Sequence, residues 1–132
     1  MHIRGIRGAT TAEANTPQAI LDATCELLHA IVSANHVEPD EVAAVFFTAT
    51  ADLDAAYPAE AARRLGWHAV PLLAFADIPV QGSLCRCIRV LVLWNTPRTQ
   101  GEVVHVYLRE AVALRPDLKS PPLGGMAGGS GG

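Results

Sequence analysis

No run of apolar residues in this chain approaches the ~20 needed for a helix to cross a bilayer, so no membrane span is expected. There is no basic tract and no interleaving of basic with aromatic residues. With Lys and Arg numbering 10 against 13 Asp and Glu, and a net charge of −3, the balance argues against nucleic acid as a partner. Cysteine is scarce, with Cys25, Cys85 and Cys87 the three present. An odd count, together with an N-terminus "MHIRGIRGATT" that lacks an apolar export segment and a cleavage site, favours reduced thiols in the cytoplasm. Cys85 and Cys87 would share one face of a strand, but no second cysteine or histidine cluster completes a tetrahedral metal set. His2, His29, His36, His68 and His105 are scattered without ligand spacing. Also missing are a recognisable Ser-His-Asp or Cys-His set, paired acids in one motif, and any cofactor fingerprint. An enzyme with these gaps would need no covalent step and no proton relay.

What the sequence does have is apolar mass. Half of its 132 residues are apolar and the mean hydropathy is +0.23. A domain of this size leaves much of its surface exposed, so the excess points to burial between subunits of a closed oligomer. The pattern reads as one domain over 1–119, followed by a Pro/Gly/Ser tail, "SPPLGGMAGGSGG" (120–132), which is expected to be disordered. "HIRGIRGAT" (2–10) predicts a first strand. After it, Thr16 can cap a helix and Pro17 suits its first position. Ile20, Leu21, Thr24, Leu27, Leu28, Ile31 and Val32 then fall on one face, predicting a helix of about five turns. Residues 42–52 predict a second strand. Residues 58–67 predict a short helix begun by Pro58 and ended by Gly66. Residues 69–77, 87–95 and 103–112 predict three more strands, with a loop over 79–85 and a polar turn over 96–102. The order describes an α+β fold (α/β-like), a five-stranded mixed sheet packed on one long helix and a short one.

The charges sit oddly in this pattern. In "CIRVLVLWN" (87–95) Arg89 has apolar neighbours on both sides. A short β-branched run of this kind reads as a strand buried on both faces, where a charge is costly unless paired. Arg4 and Arg7 lie in the first strand, Arg63 and Arg64 on the short helix, Asp77 at the end of the third strand, Tyr107 in the fifth and Arg115 in "ALRPD". Taken singly, Arg4, Arg7 and Arg63 fit solvated surface charges and Tyr107 an amphipathic core residue. Taken together, several arginines, a tyrosine and one carboxylate make a pocket for a small ligand bearing more than one carboxylate, because guanidinium groups grip carboxylates through paired hydrogen bonds. The same pocket suits an enzyme or a non-catalytic dicarboxylate-binding module.

Four blocks carry a resemblance: "IRGIRGATT", "FTATADLDAAYPAEAAR", "GSLCRCIRVL" and "HVYLREAVALRPDL". In this order, from about residue 2 to 118, they resemble the monofunctional chorismate mutases of the AroH class. The resemblance implies a homotrimer, a pseudo-α/β-barrel with active sites in clefts between subunits. It implies conversion of chorismate to prephenate on the route to phenylalanine and tyrosine, with no cofactor. Matched position by position, it implies that Arg89 faces the ether oxygen and that Arg7 contacts a carboxylate and supports the ether side. Tyr107 would donate to a carboxylate and Asp77 accept from the ring hydroxyl. Arg63 and Arg115 would serve the second carboxylate at the mouth. Tyr57 and Leu73 would pack on the ring, with Ala74 beside them. Members of the class often carry glutamate at Asp77, cysteine at Ala74, lysine at Glu60 and phenylalanine at Tyr57.

Overall fold

The computed structural model describes residues 1–114; the tail over 120–132 and Arg115 lie outside the described residues. Strand β1 (His2–Thr11) leads through a short turn into helix α1 (Pro17–Asn35). The Thr16 hydroxyl accepts from the Ala19 amide at 3.1 Å, Pro17 opens the first turn, and His36 closes the helix in the left-handed conformation. The apolar stripe read from the sequence is the buried face: Ile20, Leu21, Thr24, Leu27, Leu28 and Ile31 are all buried, while Val32 is partly so. A 3₁₀ turn (Pro39–Glu41) precedes β2 (Val42–Ala49). Helix α2 (Ala59–Arg64) ends at Gly66, whose φ of 90° suits glycine alone at low cost. Then come β3 (Leu72–Ala76) and β4 (Cys87–Thr96).

The strands form one sheet in the order β3-β2-β4-β1-β5, antiparallel at β2–β4 and β4–β1 and parallel at both outer pairs. One face carries Ile6, Val45, Phe47, Val90, Val92 and Trp94, sealed by the apolar sides of α1 and α2. This is the α+β architecture expected, with a long and a short helix on a mixed five-stranded sheet.

Two expectations are corrected. The fifth strand, expected over 103–112, is only β5 (Val106–Tyr107). Arg109 takes a φ of 52°, which no strand accommodates, and a 3₁₀ helix (Arg109–Leu114) follows. Ahead of β5 the backbone is held by a side chain: buried Asn35 donates to the Val104 carbonyl at 2.9 Å and accepts from its amide at 2.8 Å. The second correction concerns β4. It is covered on one face only, since Ile88, Val90, Val92 and Trp94 are buried while Arg89, Leu91, Leu93 and Asn95 are not. The Arg89 side chain is 45% exposed. The apolar run reflects a second sheet face that neither α1 nor α2 covers.

Gly8 is fixed by space. A Cβ there would stand 2.9 Å from Ile31 Cδ1, 3.1 Å from Leu27 Cδ1 and 3.2 Å from the Val106 carbonyl oxygen. The missing side chain lets α1 and β5 close on β1 together.

Candidate active site

Strand register builds the site. Directly opposed residues on neighbouring strands share a face. One row across the uncovered face therefore runs Phe75, Thr48, Arg89, Ala9, Tyr107, and the next runs Leu73, Phe46, Leu91, Arg7. Arg89 stands in the middle of the sheet, and Tyr107 and Arg7 approach from its β1–β5 side. Asp77 sits just past β3, where its amide prolongs the pairing by donating to the Ala49 carbonyl at 3.0 Å.

These side chains meet in a concavity of about 520 Å³ lined by Arg7, Asp77, Arg89 and Tyr107 over apolar residues that include Phe46, Phe75 and Leu91. Arg89 Nε lies 3.5 Å from Asp77 Oδ2, the carboxylate being only 18% exposed. At this separation the pair is loose, and the rest of the guanidinium fork remains available to a ligand. The aromatic floor is continuous, with the Phe46 and Phe75 rings 6.0 Å apart between centroids. Cys87 lies two residues before Arg89. Burial pushes its thiol upward in pKa, with the Arg89 charge opposing, so the group stays protonated and is a poor nucleophile.

The remaining candidates lie elsewhere. Tyr57, Arg63, Leu73 and Ala74 line a smaller hollow of about 210 Å³ between α2 and β3. There Arg63 Nη1 pairs with Glu60 Oε1 at 3.0 Å on the exposed side of α2. Within one chain, then, the sequence-predicted residues fall into two groups: Arg7, Asp77, Arg89 and Tyr107 in one, Tyr57, Arg63, Leu73 and Ala74 in the other. Sequence reading missed Thr48, Phe46 and Phe75. Their signal is two-residue alternation into the row of Arg89, visible only once the β2–β4 register is known. The Thr48 hydroxyl is buried beside Arg89 and has no hydrogen-bond partner among the described residues. No group of three or more His, Cys, Asp or Glu among the described residues could hold a metal ion, and no described helix is long and apolar enough to cross a membrane.

Two guanidinium groups, one carboxylate and one phenol thus gather over an apolar floor, a combination of charge and surface that suits a small anion. Comparison with known proteins names the reaction. The family model for chorismate mutase type I matches residues 3–118. A chorismate mutase AroH of Thermus thermophilus is 60% identical over 119 residues, covering 89% of this chain and 98% of that protein. Its counterpart in Bacillus subtilis (strain 168) is 46% identical over 119 residues, covering 89% and 94%. The solved structure of a chorismate mutase from Clostridium thermocellum superposes with a TM-score of 0.81 at 43% identity, covering 83% of this chain and 97% of that one. The chain belongs to the type I chorismate mutase family. It is an isomerase that converts chorismate to prephenate in aromatic amino acid biosynthesis.

Proposed function

We propose that the two groups of residues are halves of one active site, contributed by adjacent chains of a homotrimer. Arg7, Asp77, Arg89 and Tyr107 form one wall, and Tyr57, Arg63, Leu73 and Ala74 of the next chain form the other; the family resemblance adds Arg115 as a contact for the second carboxylate. The observation carrying this reading is the apolar, uncovered sheet face with Arg89 at its centre. Leu73 and Phe75 there are 53% and 51% exposed in the single chain. A second copy laid over that face would cover the apolar excess and bring the smaller hollow toward the arginines. The mutase domain spans 1–119 in this reading, and its free cysteines suit a reducing cytoplasm.

The chemistry is a one-step rearrangement in which a C–O bond breaks as a C–C bond forms, with no proton moved. Arg7, Tyr107 and Arg63 grip the two carboxylates and select the compact conformer, removing much of the entropic barrier. Asp77 accepts from the ring hydroxyl, while Tyr57 and Leu73 pack on the ring. Negative charge grows on the ether oxygen as the C–O bond breaks. The Arg89 guanidinium, fixed by its strand and steadied by Asp77, meets that charge, and its grip is stronger in the transition state than in the ground state.

The test is complementation. Arg89→Ala and Arg63→Ala are each expected to be strongly impaired. Refolded together, they form mixed trimers in which about a quarter of the clefts, on random assembly, combine the two intact halves. Recovery of chorismate consumption toward that fraction is expected. A mixture no more active than its parents would overturn the shared site.

A further inference from the structure

The outer edge of β1 is completed in an unusual way. The Gly5 and Arg7 amides and the Ala9 carbonyl all find partners on the β5 side, but for the two amides those partners are side chains. At Gly5 the Gln100 side chain does the work, accepting from the amide at 3.0 Å and donating to the carbonyl at 2.7 Å. At Ala9 the carbonyl accepts from the Leu108 amide at 2.9 Å, in register with Tyr107. Between them the Arg7 amide donates to His105 Nδ1 at 2.9 Å. β5 begins one residue later, at Val106. The imidazole therefore stands where a longer strand would have placed a carbonyl oxygen.

A backbone N–H can only donate, so Nδ1 is the bare nitrogen of this ring and the proton is on Nε2. The bond joins the backbone of one site residue, Arg7, to a point two residues ahead of another, Tyr107. The paired ladder between β1 and β5 is otherwise two residues long, Gly8 with Val106 and Ala9 with Tyr107. Resting on the reading of Arg7 and Tyr107 as substrate contacts, we propose that His105 is a positioning residue of the mutase. Its neutral Nε2–H tautomer locks β5 onto β1 and so sets the Arg7 guanidinium and the Tyr107 phenol at a fixed separation. His105 is not among the described residues lining the cavity and touches no reacting atom. Its effect is leverage: a small rotation of a two-residue strand is magnified at the tip of a tyrosine, and a misplacement near 1 Å costs about a hundredfold in rate.

The test compares isosteres. The Oδ1 of asparagine sits where Nδ1 sits, whereas the polar atoms of glutamine reach the place of Nε2. His105→Ala and His105→Gln are expected to stay folded by circular dichroism, to keep the parental oligomer size, and to lose about ten- to a hundredfold in kcat/KM. His105→Asn is expected to recover most of that loss. In ¹⁵N spectra of the imidazole, Nδ1 should carry the shift of an unprotonated nitrogen. The Arg7 amide proton should move upfield in the Ala variant and return in the Asn variant. Should the Ala variant misfold, the Asn–Gln pair still decides. Equal activity of Asn and Gln variants, a protonated Nδ1, or full activity of His105→Ala beside an impaired Arg7→Ala would overturn this inference alone. Full activity of both Arg7→Ala and Tyr107→Phe would instead overturn the site reading on which it rests.

Discussion

At the scale of single residues, Arg89 holds the most consequence for rate and little for stability. Its side chain is nearly half exposed and its one ion pair, to Asp77, is long at 3.5 Å. Truncating it strands the Asp77 carboxylate, which at 18% exposure still reaches water, so Arg89→Ala should lower the melting temperature only modestly and keep the oligomer size of the parent. Its cost should fall on kcat. One oxyanion-type donor is worth ~3–4 kcal/mol, or 10²–10³ in rate, and more when fully charged. Arg89→Lys should be nearly as damaged, because a point charge on a flexible stem does not reproduce the planar fork. Steady-state kinetics beside circular dichroism checks both, and an intact variant with parental turnover would refute the role. The sequence exposed Arg89 through its apolar neighbours, although the inference of burial on both faces was mistaken. Leu91 and Leu93 belong to an uncovered face, and a run of apolar letters does not say whether a helix or another copy of the chain lies above it. Thr48 and Phe75 gave no such signal, because what marks them is register with Arg89 across two strand pairings.

At the scale of elements, close approach and short polar links decide where the site strands sit. Gly8→Ala would drive a methyl into Ile31, Leu27 and the Val106 carbonyl, the last being backbone with little room to yield. Overpacking of this kind costs about 1–3 kcal/mol. The expected result is a lower urea midpoint together with reduced kcat/KM, since β1 and β5 carry Arg7 and Tyr107. Unchanged values in both would show that the strands adapt. Two carboxylates tie loops to the sheet. Glu41 accepts from Trp94 Nε1 at 2.9 Å, and this bond, with one from the Glu38 amide, holds its pKa below the usual value. Asp52 is lowered chiefly by the Thr50 hydroxyl and by the Arg86 amide. A depressed folded-state pKa means that the unfolded chain takes up protons first as pH falls. The contribution of both groups is complete above the ordinary carboxylate range, near pH 4, and is lost as pH drops through the lower folded values. These two carboxylates therefore leave the urea midpoint unchanged from neutrality to about pH 5 and lower it below about pH 4. The double variant Glu41→Gln, Asp52→Asn should start lower and fall less steeply; parental midpoints throughout would refute the assignment. Helix α1, its cap and its buried stripe were legible because each rests on residues three or four apart. β5 was not. Its place depends on Asn35 gripping Val104 across 69 residues and on Arg109 turning left-handed, and no local pattern announces either.

At the scale of the whole molecule, one sheet face is sealed by helices, while on the other Leu73 and Phe75 are exposed and Leu91 and Leu93 only partly buried among the described residues. The enzyme is expected to sediment as a trimer at micromolar concentration, with activity falling on dilution in step with dissociation. A stable monomer of full specific activity would refute the shared cleft. Half of the candidate site was legible as a set only through resemblance, because among the described residues Tyr57 and Arg63 line a different hollow from Arg89.

The manner in which β1 is completed also bears on how the chain acquires its fold during synthesis. β1 is made before the other described strands, yet its inner neighbour β4 starts only at Cys87. The groups that close its outer edge lie 95 and 98 residues further along, at Gln100 and His105. Until β4 leaves the ribosome, a ten-residue strand has no native neighbour in the sheet, and until Gln100 and His105 follow, its outer edge stays open. Pairings so distant in sequence form slowly, and an unpaired strand edge invites pairing with another chain. Folding therefore cannot proceed piecewise from the N-terminus. A chain halted before its last strands would be an aggregation hazard rather than a partly working enzyme.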